Sequence, residues 1–331
     1  MAYLQAPLAT GKLYLKNRLV MPPMATSKAN PDGSVSDALL DYYDEKSAGG
    51  AIALVMIEHS YITKQGQNRE GQPSAATDDM IEGLARLADV IHANGSKTAL
   101  QINHVGGTAK SAVTGLDVVA PSVAPHPFGP SDPTLRVMTL DEIAAVPGLF
   151  AAAARRAQSA GFDAVEIHSA HGYLLDQFFS PLTNHRTDEY GGDVHGRIQL
   201  HLEVIAAVRG AVGEDFPILL RLGAADYTEN GAHIEDSEVA AVAFERAGVD
   251  MFDITGGMNG YVRPGHDEPG YFSELSEPIK HVVSVPVILT GGVTEPEQAE
   301  ALLAAGKADL IGVGRAILKD SGWAARAIRE A

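Results

Sequence analysis

The sequence predicts an α/β fold, a single-domain (β/α)8 TIM barrel spanning residues 1–331, and three observations carry that reading. Short apolar runs of strand length alternate with amphipathic runs of helix length along nearly the whole chain, the pattern of a parallel sheet with crossover helices. Eight such units are present, which suits a closed barrel better than an open sheet, where five or six strands are more common. Gly161, Gly248 and Gly306 each fall between a helix and the next strand, where a left-handed C-cap is needed.

The elements follow in order. Residues 19–24 form the first strand and 37–48 its helix. The second strand is 51–57, followed by a helix over 78–94; the third is 97–102, with its helix at 140–160. The fourth is 164–167, with a helix from about residue 194. The fifth is 217–222 with helix 234–247, and the sixth 251–254 with helix 272–283. The seventh is 285–289 with helix 295–305; the eighth is 309–313, and helix 315–329 closes the unit. Two long loops, 105–136 and 180–192, follow strand ends at the C-terminal mouth, where barrel enzymes place their sites. Residues 4–16 are expected to form a hairpin plugging the opposite end.

Composition narrows the function classes. The chain has 331 residues, is 45% hydrophobic and carries a formal net charge of −17. That charge repels phosphate backbones and anionic membranes, so neither nucleic acid nor a membrane is an expected partner. An anionic cofactor would need local arginines. There is no cysteine, which excludes disulfides, thiolate nucleophiles and cysteine-bound metal clusters in this chain. Residues 1–7 lack the basic and apolar regions of a signal peptide, and no apolar run approaches the ~18 residues of a membrane span; a cytoplasmic location is expected.

The densest polar cluster follows the fourth strand, Glu166-Ile-His168-Ser-Ala-His171-Gly-Tyr173. Neutral imidazoles donate hydrogen bonds to a carbonyl oxygen on which charge develops, and a phenol delivers a proton to a carbanion-like carbon. Metal binding by His168 and His171 lacks a clear third ligand, so no metal is expected; histidines satisfied by backbone groups remain the structural alternative. Gly291-Gly292 after the seventh strand and Gly314-Arg315 after the eighth suit a phosphate, because glycines admit it to the backbone N–H groups and Arg315 adds charge. Gln101 and Arg221 end the third and fifth strands; Glu58 and His59 end the second. No Gly-x-Gly-x-x-Gly follows a strand, so a separate dinucleotide domain is not expected.

Over residues 13–317 the chain resembles the old yellow enzyme family of flavin oxidoreductases. The long segment from Glu166 to Gly192, with Ser180-Pro-Leu-Thr-Asn-His-Arg-Thr-Asp-Glu-Tyr-Gly-Gly192 at its end, carries the likeness. Asn17-Arg-Leu-Val-Met-Pro-Pro-Met24, Gly291-Gly292 and Gly314-Arg315 support it. Met21-Pro-Pro-Met-Ala-Thr26 and Asp32-Gly-Ser-Val-Ser36 look closest to the 2-enoate and dienoyl-CoA reductase branch.

The resemblance implies non-covalent FMN at the mouth, with NADH or NADPH as reductant. Pro22, Pro23, Met24 and Ala25 would lie along the flavin, and His59 would contact it through its backbone. Gln101 and Arg221 would bind the ring; Gly291, Gly292, Gly314 and Arg315 would bind the phosphate. His168 and His171 would hold a substrate carbonyl, and Tyr173 would donate the proton. The reaction implied is ping-pong reduction of the activated C=C bond of a small α,β-unsaturated carbonyl compound. A flavin dehydrogenase oxidising an amine or saturated ketone is one alternative. A flavin-free barrel lyase or isomerase binding a phosphorylated metabolite is another.

Some positions depart from the family. Ala25 stands where many relatives carry Cys or Thr, Ser27 where some carry tyrosine, and Gly107 where arginine is usual. Arg326 and Arg329 sit where a C-terminal arginine of some short relatives reaches a neighbouring subunit, which makes a homo-oligomer an expectation.

Overall fold

The computed structural model describes residues 3–124 and 131–330, so positions 125–130 of the expected 105–136 loop lie outside the described residues. Eight parallel strands close into a barrel in sequential order, the last pairing with the first. They are β1 (Leu19–Met21), β2 (Leu54–Tyr61), β3 (Lys97–Asn103), β4 (Ala164–Ser169), β5 (Ile218–Gly223), β6 (Met251–Thr255), β7 (Val287–Thr290) and β8 (Leu310–Gly312). The crossover helices are α1 (Asp37–Ser47), α2 (Ile81–Ala93), α3 (Leu140–Ser159), α4 (Gln199–Val212), α5 (Ile234–Ala247), α6 (Ser273–Val282) and α7 (Pro296–Ala304). Their starts follow local chemistry. Ser36 accepts from the Leu39 N–H to cap α1, and Thr139 and Glu142 form a reciprocal capping box at α3.

Strand alternation sorts the side chains. Outward positions such as Val55, Ile57, Leu220 and Leu222 join the main core under the helices. Inward positions at the lower end form a separate apolar layer that includes Val20, Leu54, Met56, Ala99, Ala164, Leu219, Met251, Ile288 and Leu310. The expected hairpin is present: Leu8–Ala9 pairs antiparallel with Tyr14–Leu15. Its Leu13 and Leu15 are buried in that same layer, so it closes the barrel floor.

A helix begins at Val194 as expected, the single-turn Val194–Arg197 leading through Ile198 into α4. One helical expectation needs correction. The helix expected over 315–329 is broken into α8 (Arg315–Lys319) and α9 (Trp323–Glu330), because Asp320 is extended and its carboxylate caps the Gly322 N–H. Arg326 is ion-paired with Asp320 of its own chain. The 105–136 segment is also more ordered than a plain loop: Val119–Ala120 pairs in parallel with Arg136–Val137. Among the described residues no helix is long and apolar enough to cross a membrane.

Candidate active site

Two residues further along β3, β4, β5 and β6, the inward positions turn polar. Register places Gln101 beside Glu166, His168 beside Arg221, and Arg221 beside Asp253. All five are nearly or fully buried. Above them opens a cavity of about 410 Å³ at the C-terminal mouth. The three residues expected to act on substrate and the eleven expected to hold the cofactor all line it.

The floor is an ionic cluster. Gln101 donates one amide hydrogen to Glu166 Oε2 at 2.7 Å, which leaves its carbonyl oxygen for a ligand. Arg221 Nε stands 3.4 Å from Asp253 Oδ2, yet neither atom forms a hydrogen bond. Glu166 Oε1 is likewise unpartnered. Burial and the neighbouring Asp253 push the Glu166 carboxyl up to about 8, against the opposing pull of Arg221 and the Gln101 donor. Burial also raises Asp253. Arg221 lines the cavity above this cluster with its charge only partly answered by Asp253.

The wall after β4 carries His168, His171 and Tyr173. His168 Nδ1 accepts from the Ala170 N–H at 3.2 Å, so the neutral ring carries its proton on Nε2. Burial drives both histidines well below the ordinary imidazole value, with Arg221 and the facing rings adding to it. They are therefore neutral donors at physiological pH. His171 has φ +59°, a left-handed backbone that a non-glycine residue adopts only at a cost, and Gly172 continues the turn at +68°. That turn is held by Asp176 Oδ2, which accepts from the Gly172 N–H at 2.6 Å. His171 Nε2 contacts the Thr255 hydroxyl at 3.1 Å, leaving Nδ1 as its open atom. The Tyr173 ring lies 4.9 Å from His168 and stacks on His59 at 5.4 Å.

His59 sits just where β2 breaks register, between Ile57 and Ser60. Gln72 and Asn103 both donate toward its Nδ1, at 3.0 and 3.2 Å, and Gln72 also donates to its carbonyl at 2.9 Å. His59 lines the cavity, and its imidazole packs on the Tyr173 ring. Glu58 is spent elsewhere, accepting from Thr26 N and Oγ1 and so fixing the segment that holds Ala25.

The far end combines glycines that the surrounding chain requires with a cationic side chain. At Gly292, φ is +71° and an added Cβ would stand 2.3 Å from the Glu268 carbonyl. At Gly312 it would stand 1.9 Å from Thr290 Oγ1. Arg315 reaches in and donates to the Tyr271 hydroxyl at 3.3 Å. Because α8 is only five residues long, the positive character here comes from the Arg315 guanidinium rather than from a long helix. Arg69, Arg221 and Arg315 line the cavity, and no Asp or Glu among the described residues does. In a chain of net charge −17 that is a local inversion. The donor set, the glycine-lined end and the orphaned Arg221 N–H fit a phosphorylated ring cofactor such as FMN.

Residues missed by sequence reasoning are Asn68, Arg69, Tyr261 and Tyr271. Asn68 Nδ2 donates to the Tyr173 hydroxyl at 3.2 Å, and the Tyr261 ring stands 6.1 Å from His171. They come from the loops after β2 and β6. Those loops also open at the mouth, which was the signal available for finding them.

Residues 3–330 match the family model described as the NADH:flavin oxidoreductase / NADH oxidase family. The chain is 41% identical over 323 residues to an NADH oxidase of Thermoanaerobacter brockii, covering 96% of this chain but 49% of that protein. It therefore spans about half the length of that relative. It is 38% identical over 308 residues to an NADPH dehydrogenase of Clostridium acetobutylicum, covering 92% of this chain and 88% of that one. Among solved structures, the old yellow enzyme homologue from Zymomonas mobilis superposes with a TM-score of 0.85 at 29% identity, covering 99% of this chain and 93% of the other.

Proposed function

Because the chain belongs to the NADH:flavin oxidoreductase / NADH oxidase family, an oxidoreductase family that uses FMN and a nicotinamide nucleotide, we propose that it is an ene-reductase acting on the activated C=C bond of α,β-unsaturated carbonyl compounds. Residues 1–331 act as one FMN-binding barrel. The observation that carries this reading is the meeting of two neutral imidazoles and a phenol in one cavity with a glycine- and arginine-lined end.

The residues divide the work. Gly291, Gly292, Gly314 and Arg315 hold the FMN phosphate. Gln101 and Arg221 hold the ring edge, with Pro22, Pro23, Met24, Ala25 and His59 around it. Bound FMN supplies two-electron transfer between the nicotinamide nucleotide and the alkene. The nucleotide and the substrate occupy the cavity in turn. His168, through Nε2–H, and His171 donate to the substrate carbonyl oxygen and polarise the conjugated double bond. Tyr173 gives its proton to the carbon alpha to that carbonyl. The burial of His168 and of the polar floor beneath it lowers the local dielectric and so strengthens these donors.

Separate measurement of the two half-reactions tests this. Tyr173→Phe is expected to slow reoxidation by an enone by about 10²–10³, within the usual range for a positioned acid. Reduction by NADH or NADPH should stay nearly intact. Equal damage to both half-reactions would remove Tyr173 from the proton-donor role.

A further inference from the structure

We propose that Asn68 and Arg69 form a receiving site for the negative charge left on the Tyr173 oxygen when it gives up its proton. The inference rests on the assignment of Tyr173 as proton donor. In the step concerned, the Tyr173 O–H bond breaks and the proton joins the substrate carbon, which supplies the electron pair. The charge remains on the phenolic oxygen until a proton returns from water at the mouth. Neither residue is assigned a contact with the substrate; both act through the phenol, Asn68 directly on its oxygen.

Three observations converge. Asn68 Nδ2 donates to the Tyr173 oxygen at 3.2 Å. That bond occupies a lone pair and leaves the phenol's own hydrogen free to point at a ligand. The next residue, Arg69, lines the same cavity, and among the described residues its guanidinium has neither an ion pair nor a hydrogen bond. No carboxylate lies in the described lining, and the carboxylate that feels its charge, Glu58, is already bonded to Thr26. The short segment that carries both residues is pinned from within. Asn68 N donates to Gln72 Oε1 at 2.7 Å, and Gln67 Nε2 donates to the Arg69 carbonyl at 2.9 Å. Gln67 and Gln72 are buried polar side chains. An exposed arginine without a partner would ordinarily wander, but here its backbone is held over the phenol.

Other groups face Tyr173 from every side. The His59 and His168 rings pack against it, and both imidazoles are held neutral by burial. Arg221 lies in the floor, and Tyr261 stands across the opening. Lys110 and Asp132 border the adjoining hollow; the Asp132 carboxylate is committed to Ser111 and Thr134. Val105, Ala109, Val118 and Leu135 pack beside the ring without charge. Burial raises the phenol above its ordinary value, and Arg69 then Arg221 draw it back. Of the two, Arg221 is paired with Asp253, whereas Arg69 forms no ion pair among the described residues and acts more strongly on the phenol.

The test uses holoenzyme carrying fluorotyrosine at position 173, its ionisation followed by fluorine NMR. Arg69→Met should raise the phenol's midpoint by about one pH unit, an effect limited by solvent screening of an exposed charge. The alkaline limit of single-turnover enone reduction should move with it. Arg69→Lys should restore most of both, and Asn68→Ala should move the midpoint the same way by less. A midpoint unchanged in both Arg69→Met and Asn68→Ala would overturn the inference. Tyr173→Phe that leaves enone reduction fast would instead overturn the proton-donor assignment, and the titration distinguishes the two failures.

Discussion

The inside of this barrel has two layers, one pleat apart, built by opposite rules. The lower layer, with Leu54, Met56, Leu219, Met251 and Ile288, is apolar and closed. The upper layer, with Gln101, Glu166, His168, Arg221 and Asp253, is as buried but polar, and three of its atoms have no hydrogen-bond partner. Lower-layer residues satisfy one another by contact alone. Upper-layer residues are satisfied only in part by one another, and what is missing defines what the cavity is for. Leu219 and Arg221 make the contrast on a single strand, two residues apart and facing the same way.

That pair supplies the sharpest ways to break the comparison. Arg221→Met removes the only cation between two buried carboxyls. A cost of about 3–5 kcal/mol in unfolding free energy is expected, since an uncompensated buried charge remains. FMN retention should fall with it, measured by flavin release on dilution. Leu219→Ala should cost about 2–5 kcal/mol through a cavity in the floor. Its FMN affinity should stay within about twofold of the parent, since independent sites change separately. A loss of FMN as large as that of Arg221→Met would show that the layers are not separable.

A third test concerns Glu166. Its carboxyl is raised to about 8 in the folded chain from an ordinary value of 4.5. Between those values the folded protein keeps a proton that the unfolded chain releases, so this group makes stability fall as pH rises through that window. Glu166→Gln cannot ionise. Its stability advantage over the parent should therefore grow from about pH 5 to about pH 8 and then level off. Urea unfolding at several pH values measures this, and a pH-independent difference would show that Glu166 does not hold the proton.

The lower layer was legible in the sequence and the upper layer only in part. Apolar runs such as 217–222 and 285–289 announce strands because burial on both faces demands continuous hydrophobicity. Arg221 and Gln101 stood out as polar exceptions at the ends of such runs. The motif around His168, His171 and Tyr173 was explicit. Its left-handed turn at His171 was not, because histidine carries no glycine-like signal for positive φ. Asn68, Arg69 and Tyr261 arrive from separate loops, and only tertiary folding brings them to the phenol. The break at Asp320 was hidden by a helical apolar pattern that continues on both sides of it.

The hairpin beneath the floor has a consequence for traffic. With Leu13 and Leu15 buried in the floor layer, that end is closed, and the cavity containing His168 opens at the opposite, C-terminal mouth. Under the proposed function the two ligands would share that one opening, and an inert look-alike held there would compete with both.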